Sequence, residues 1–161
     1  MNEGLENIIE KETNESKIKQ FYDWSSQYIN YKLGAIGGSL AGTIVYFMND
    51  EHGVKYGLTA GITQFVYNFL AGGYNSRTCQ NIARIIENRR KAIVNSTVFT
   101  TVQAFIIGYT VHEIMKTPDL LQSSTWQIIP NAFIFYTIAK VQRNEMENTH
   151  SKSSKSLNKL L

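Results

Sequence analysis

Long runs without a charged residue alternate with short polar segments along this chain. Four such runs contain no Asp, Glu, Lys or Arg, and they cover residues 33–49, 56–76, 92–112 and 120–139. A helix of about 20 apolar residues crosses a hydrocarbon core of about 30 Å. The pattern therefore predicts an all-α, polytopic membrane protein with four transmembrane helices over about 33–49, 56–76, 92–112 and 120–140.

The segments outside these runs predict three regions. Residues 1–32 are expected to form an N-terminal cytoplasmic or interfacial amphipathic helix, 33–141 the transmembrane domain, and 142–161 a disordered cytoplasmic tail. From Lys17 onwards apolar and aromatic residues recur at helical spacing, and polar-tipped aromatic rings favour the membrane–water boundary. A soluble helix packed on cytoplasmic loops is the alternative for this first region.

The distribution of charge predicts how the spans are oriented. Fourteen of the sixteen Lys and Arg residues lie before the first run, between the second and third, or after the fourth, which leaves only Lys55 and Lys116 elsewhere. The positive-inside rule then places both termini in the cytoplasm (N-in/C-in), and we expect an integral protein of a bacterial inner membrane. A net charge of +3 does not indicate a polyanion binder, so no nucleic-acid partner is expected.

Glycines at four-residue spacing mark a packing face on the first two spans: Gly38, Gly42, Gly53, Gly57 and Gly61. Glycines in this register lie on one side of a helix and let two backbones approach closely. We therefore expect a tight hairpin of the first two spans, and self-association through helix packing.

Uncharged polar residues inside the spans form a second candidate site: Thr59, Thr63, Gln64, Asn68, Asn95, Gln103 and Asn131. They could line a polar path or a small-solute site, since intramembrane polar groups often do. Hydrogen bonding between helices is the simpler interpretation and is favoured. The uncharged spans argue against a proton relay, which needs a carboxylate at depth.

The connection between the second and third runs is predicted to be a basic interfacial helix. It carries five cations, which are Arg77, Arg84, Arg89, Arg90 and Lys91, set around Ile82, Ile85 and Ile86. Such a helix could contact anionic lipid headgroups or dock a cytoplasmic partner. Cys79 in the same segment could have a lowered thiol pKa or accept palmitate, although one cytoplasmic cysteine usually does neither.

The two outer connections hold His52, His112 and Glu113 near one membrane surface. Imidazole and carboxylate groups could bind a divalent metal there if the loops converge. Because no fixed ligand spacing supports this, solvated boundary residues are the favoured interpretation, and no metal or cofactor is expected.

These patterns lead to three functional hypotheses, and no catalytic motif is visible. The leading one is a non-enzymatic membrane component, either a self-associating pore or transporter-like unit or a subunit of a larger membrane complex, with lipid and membrane proteins as partners. The second is a membrane enzyme or lipid-binding protein that uses the outer His and Glu residues. The third is a soluble helical interaction protein.

Overall fold

The computed structural model of the chain describes residues 15–114, 125 and 127–157, and the regular elements within them are all helices. In chain order these are α1 (15–25), α2 (Tyr31–Asn49), a 3-10 turn (Asp50–His52), α3 (Val54–Tyr67), a π-helical turn (Asn68–Gly72), α4 (Gly73–Ile85), α5 (Arg89–Ile114) and α6 (Ile128–Leu157). The predicted all-α class is confirmed for this part of the chain.

Asparagine side chains mark two of the helix starts. The Asn30 side chain accepts a hydrogen bond from the Leu33 amide at 3.0 Å, and the Asn88 side chain accepts one from the Lys91 amide at 3.0 Å. Each bond satisfies a backbone N–H that has no partner within the first turn of α2 or α5. Short polar residues, rather than the apolar pattern, therefore determine where these two helices begin.

The first half of the fold is an antiparallel hairpin of α2 and α3, joined by the 3-10 turn. Gly53 ends that turn with φ +106°, a backbone conformation that residues with a Cβ rarely adopt. The reversal brings α3 back along α2 over its full length. Glycine at position 53 therefore allows the chain to reverse within a few residues.

One interrupted helix joins this hairpin to the rest of the molecule. The π-helical turn from Asn68 to Gly72 lies between α3 and α4 without an intervening loop. A π turn adds a residue to the helical repeat and so rotates the register of the next helical segment. The segment before the turn, α3, packs mainly on α2. The segment after it, α4, packs on α5 and α6.

The second half of the fold is a three-helix unit of α4, α5 and α6. Its core contains Cys79 and Ala83 of α4 with Phe135 and Ala139 of α6, and Ile93, Ala104 and Ile138 pack around them. Small residues let the three backbones approach closely, so one large ring is enough to fill the centre. A regular bundle of four equivalent helices is not supported, because a glycine hairpin and this three-helix unit share one long helix.

Among the residues described, one helix is long and apolar enough to cross a membrane, the part of α5 from Arg89 to Val111. Four spans by this criterion, as predicted from the uncharged runs, are therefore not supported. The π turn limits α3 to 14 residues, and glycine and hydroxyl residues dilute the apolar character of α2. Residues 120–124 of the fourth predicted span lie outside the described part, in which α6 starts at Ile128.

Two boundaries differ from the predicted ones. The basic segment 77–91 is not one helix, because α4 ends at Ile85 and α5 starts at Arg89. The tail predicted to be disordered from residue 142 is instead helical to Leu157 as the continuation of α6. Gln142 and Arg143 are buried against α4, so the packed part of α6 extends past the apolar run and carries the polar residues with it.

Candidate functional site

The glycines of α2 and α3 lie where the two backbones touch. A Cβ at Gly42 would lie 2.7 Å from the Gly61 carbonyl oxygen, and a Cβ at Gly61 would lie 2.9 Å from the Gly42 oxygen. At Gly38 it would lie 2.8 Å from the Phe65 oxygen. These distances are too short for any side chain, so the hairpin of α2 and α3 uses this face within one molecule and does not leave it open for a second copy.

The packing face extends beyond the predicted glycines at one end and stops short at the other. A Cβ at Gly34 would collide with the Phe69 oxygen, and one at Gly73 would lie 2.8 Å from the Ile29 side chain. A Cβ at Gly57 would lie 3.2 Å from the Tyr46 ring. A Cβ at Gly53 would have no atom closer than 4.0 Å, so Gly53 serves the turn and not the packing face. Gly34 continues the four-residue spacing of α2, and this signal could have found it in the sequence.

The polar residues predicted to form one face are not brought together. Thr59 and Thr63 are exposed, and each hydroxyl donates to the carbonyl four residues earlier, at 2.9 and 2.8 Å. Asn68 likewise donates to the Gln64 carbonyl at 3.0 Å. Their hydrogen-bonding groups are satisfied inside their own helix, which is the local alternative open to Thr and Asn side chains.

Two further members of the predicted set, Asn95 and Asn131, lie apart on different helices. Asn95 is exposed on α5, and Asn131 is half-buried in the first turns of α6. Of the seven predicted polar residues, Gln103 is the one whose side chain bonds to another helix in the described part of the chain. Its amide donates to Asn75 at 2.8 Å and lies 3.5 Å from the Thr78 hydroxyl.

A buried polar cluster between α4 and α5 was missed by the sequence pattern. It is centred on Gln103 and Asn75, and Ser76, Ser96, Thr100 and Thr101 are also buried there. Gln103 and Asn75 bond to each other and Ser96 bonds to its own backbone, whereas the Thr100 and Thr101 hydroxyls have no hydrogen-bond partner among the described residues. The small side chains let the two helices pack closely. Their spacing at 96, 100 and 103 along α5 was the signal that would have grouped them.

Cys79 lies at the centre of this interface and not in an accessible loop. Its thiol is fully buried and donates to the Phe135 carbonyl at 3.3 Å. Burial raises the pKa of the Cys79 thiol to about 11, although the nearby Ser96 and Thr100 hydroxyls and the Ala139 backbone oppose that shift. Because a buried thiol in its neutral form is a poor nucleophile, neither a lowered pKa nor palmitoylation of Cys79 fits the fold.

The predicted basic residues separate into two kinds. Arg84 donates to the Gln142 amide oxygen at 3.2 Å, and Arg89 donates to Asn144 at 2.7 Å and pairs with Glu147 at 3.4 Å. They therefore hold α6 to the turn between α4 and α5. Arg90 and Lys91 are exposed, and Arg77 is half-buried with an Nε that has no hydrogen-bond partner.

Arg143 of α6 completes the α4–α5 turn and was not singled out by the sequence pattern. Its side chain is nearly buried, and it donates to the carbonyls of Ala83, Ile86 and Glu87 at 3.4, 3.1 and 2.9 Å. Carbonyls at a helix C-terminus lack partners within the helix and carry partial negative charge. The guanidinium group therefore acts as a cap for α4.

At the opposite end, the predicted metal-binding residues remain on separate elements. His52 lies in the 3-10 turn, and His112 and the exposed Glu113 lie near the end of α5. No group of three His, Cys, Asp or Glu residues within the described ranges is placed to hold a metal ion.

A groove of about 390 Å³ runs along the outer side of the α2–α3 hairpin and is open to the surroundings. Ser39 and Thr43 supply its polar atoms, and Tyr46, Leu58, Ile62 and Phe65 form much of its wall. The groove is shallow and mainly apolar, so it fits an apolar chain or helix better than a polar small molecule.

Many large apolar side chains are exposed on the outer faces of the helices. Leu40 of α2 is 63% exposed, Ile62 of α3 62%, Val98 of α5 57% and Phe133 of α6 73%. Similar residues recur along the same faces, for example Ile36, Ile44, Val66, Val102, Ile106 and Ile129. The interior holds small and polar groups and the exterior holds the large apolar ones, which reverses the usual arrangement of a globular protein.

Comparison with protein-family models, with characterised proteins and with solved structures finds no match for this chain.

Proposed function

We propose that this chain is a non-catalytic integral membrane protein that acts as a subunit of a membrane assembly. In this proposal α2, the interrupted α3–α4 helix, α5 and α6 make four crossings, over about 33–49, 56–76, 92–112 and 120–140, with both termini in the cytoplasm. Lipid and further membrane helices, from a second copy or another protein, cover the apolar faces.

The reversed distribution of apolar side chains carries this proposal. An exposed Leu or Ile is ordinary by itself, but large contiguous apolar faces on a soluble protein are rare. The apolar part of α5 is only 33% buried, whereas the core helix of a soluble protein is mostly buried. Lipid chains accept such faces at no cost, and the small interior residues suit helices that pack by close backbone contact.

The charges at the two ends of the helices give independent support. Lys32, Arg84, Arg89, Arg90 and Lys91 lie at one end, which α1 and the polar half of α6 share. The opposite end carries Asp50, Glu51, Lys55 and Glu113 among the described residues. Among the described residues Lys55 is the single Lys or Arg at the opposite end, and this bias is that of a protein with its basic end in the cytoplasm.

The interior favours a role in assembly over a conducting path inside one chain. Between α4 and α5, Gln103 donates to Asn75 and Ser96 donates to the Ala92 carbonyl, while the Thr100 and Thr101 hydroxyls are buried without a hydrogen-bond partner in the described part of the chain. The Phe135 ring fills the centre of the unit. Any path for solute would then have to form between copies or with another protein. The uncovered faces of α5 and α6 and the groove on the hairpin supply surfaces for such contacts.

Two measurements on the full chain test the proposal. The protein should stay with the membrane fraction during alkaline carbonate extraction, and native mass spectrometry from lipid nanodiscs should show more than one chain or a co-purified membrane protein. Recovery in the aqueous fraction without detergent would overturn the membrane location. A carbonate-resistant protein that is always a lone chain in nanodiscs would overturn the role as a subunit.

A further inference from the structure

The α1 helix exposes nearly all of its apolar side chains. Ile18, Phe21, Tyr22 and Trp24 are between 55% and 68% exposed, and Tyr28 in the following turn is 52% exposed. Ser25 is the buried exception among described residues of α1. If α1 packed on cytoplasmic loops, these rings would be covered. They are exposed instead, so this face of α1 is available to a partner outside the described chain.

The exposed apolar residues form one face of the α1 helix. At 100° per residue, Ile18, Phe21, Tyr22 and Trp24 fall on one half, whereas Lys19, Gln20 and Asp23 fall on the other. The rings also contact one another: the Phe21 and Trp24 centroids are 6.0 Å apart, and those of Trp24 and Tyr28 are 5.6 Å apart. The result is a broad aromatic surface with a polar back.

The junction between α1 and α2 is fixed, and this sets the level at which α1 lies. The Tyr31 hydroxyl donates to the Ser25 hydroxyl at 2.6 Å, and the Asn30 amide donates to the Gly73 carbonyl at 2.9 Å. The Asn30 side chain also bonds to Gln80 of α4 at 3.0 Å. Five residues separate α1 from α2, a reach of at most about 17 Å, so α1 stays beside the first turn of α2.

Cations surround the aromatic face at this end of the molecule. Lys17 and Lys19 belong to α1, and Lys32 lies in the first turn of α2. Arg77 lies on the side of α4 that includes Gly73 and Gln80, which contact the junction, and its Nε has no hydrogen-bond partner. The surface therefore combines aromatic rings with positive charge.

We propose that α1 docks on the headgroups of an anionic phospholipid leaflet, with Phe21, Trp24 and Tyr28 inserted at the boundary between headgroups and acyl chains. Lys17 and Lys32 then lie near lipid phosphates. This inference rests on the proposed membrane location, because α2 enters the bilayer at the residues that follow α1. Aromatic rings with polar tips favour that depth, and cations add attraction to an anionic surface.

Trp24 can report on this docking in the full-length protein. Trp126→Phe leaves Trp24 as the single tryptophan, since the chain has two. The protein is placed in nanodiscs of phosphatidylcholine alone or with about a third phosphatidylglycerol, and Trp24 fluorescence is quenched from lipid by brominated chains and from water by acrylamide. We expect strong quenching by lipid and weak quenching by acrylamide, with a larger contrast in anionic discs.

Lysine variants test the charge contribution. Lys17→Gln should lower the bound-to-free ratio of α1 on anionic discs by about fivefold, and should have little effect on neutral discs. Lys55→Gln, at the other end of the helices, is the matched control and should change neither quenching signal. Equal lipid quenching in both disc types would overturn the assignment of anionic lipid.

Two other outcomes would also overturn the inference. Free quenching of Trp24 by acrylamide would mean that α1 stays in water, and protection from both quenchers would mean that protein covers it. In either case retention of the chain in the discs would leave the proposed membrane location intact. Loss of the chain from the discs would instead indicate failure of the proposed function itself.

Discussion

Two glycines on α2 have opposite surroundings, and only Gly42 belongs to the predicted series at four-residue spacing. A Cβ on Gly42 would lie 2.7 Å from the Gly61 oxygen, whereas a Cβ on Gly37 would have no atom within 4 Å. Gly42→Ala should therefore separate α2 from α3 and destabilise the fold by about 1–3 kcal/mol. Gly37→Ala should be neutral or stabilising by up to about 1 kcal/mol, because alanine favours the helix. Thermal unfolding in detergent followed by circular dichroism compares them, and equal melting temperatures would contradict the close contact.

Cys79 provides a test of burial that does not depend on the membrane. With a thiol pKa of about 11 and no exposed surface, Cys79 should react with maleimide only after unfolding in dodecyl sulfate. The raised pKa also makes stability depend on pH. The unfolded thiol loses its proton near 9.0, whereas the folded one keeps it to about 11, so stability falls as pH rises through this range.

The matched variant for this pH dependence is Cys79→Ser, which lacks the titrating thiol. Its melting temperature should fall less than that of the parent chain between pH 9.0 and about 11. Rapid labelling of the folded parent at neutral pH would show that the thiol is accessible and would refute the packing around it.

Residue type did not predict which polar side chains would form hydrogen bonds between helices. Thr59, Thr63 and Asn68 were grouped because they share a helix face, but a hydroxyl or amide in a helix can bond to its own backbone. Gln103 is long enough to reach α4, and so this member of the set forms a bond between helices. Which of these two outcomes applies depends on the neighbouring helix, and helical periodicity does not contain that information.

At the scale of elements, the end of α4 depends on a side chain from α6. Arg143 donates to three carbonyls of the α4–α5 turn, and bonds from a charged donor each contribute about 1.5–3 kcal/mol. Arg143→Gln should therefore lower the free energy of unfolding by about 2–4 kcal/mol. Arg90→Gln is the control, since Arg90 is exposed, and should change it by less than about 0.5 kcal/mol.

Hydrogen exchange distinguishes a cap from a general contribution to packing. In Arg143→Gln, amides near Ile85 and in the first turn of α5 should exchange faster, whereas those of the α2–α3 hairpin should not change. Uniform acceleration over the whole chain would argue against a local cap.

Helix existence was predictable from the uncharged runs, but several helix ends were not. The first run, 33–49, matches α2 closely because Asn30 and the Asp50–His52 turn bound it with ordinary start and turn residues. The end of α6 was missed because composition alone indicated a disordered tail. Contacts of Gln142, Arg143 and Asn144 with the α4–α5 turn extend the helix, and these contacts join residues more than fifty positions apart.

At the scale of the whole molecule, the π turn divides the chain into two packing units. The α2–α3 hairpin depends on glycine contacts, and the α4–α5–α6 unit depends on small and polar residues around Phe135. Neither dependence is visible as an apolar core in the sequence, because large apolar residues lie mainly outside. The sequence correctly predicts helices and the α2–α3 hairpin, but it does not predict how the faces of α4, α5 and α6 pair.

The same arrangement predicts which positions share a side of the membrane. Lys32 lies before the first crossing and Lys152 follows the last, whereas Lys55 lies just after the hairpin turn at the opposite end, and all three are exposed. In a Cys79→Ala background, Lys32→Cys and Lys152→Cys should react with a membrane-impermeant maleimide only when the cytoplasmic face is opened. Lys55→Cys should react in intact cells, because the four crossings proposed above would place it outside.

The pair at Lys32 and Lys152 is the internal control, since any even number of crossings puts these residues together. Labelling of Lys55→Cys from the same side as this pair would mean that the α2–α3 hairpin does not cross the bilayer. The exposed faces of Leu40 and Ile62 would then have to be covered by protein, and the groove along the hairpin would become the first place to look for it. The side from which Lys55→Cys is labelled thus decides whether lipid or a partner chain covers the apolar faces of the α2–α3 hairpin.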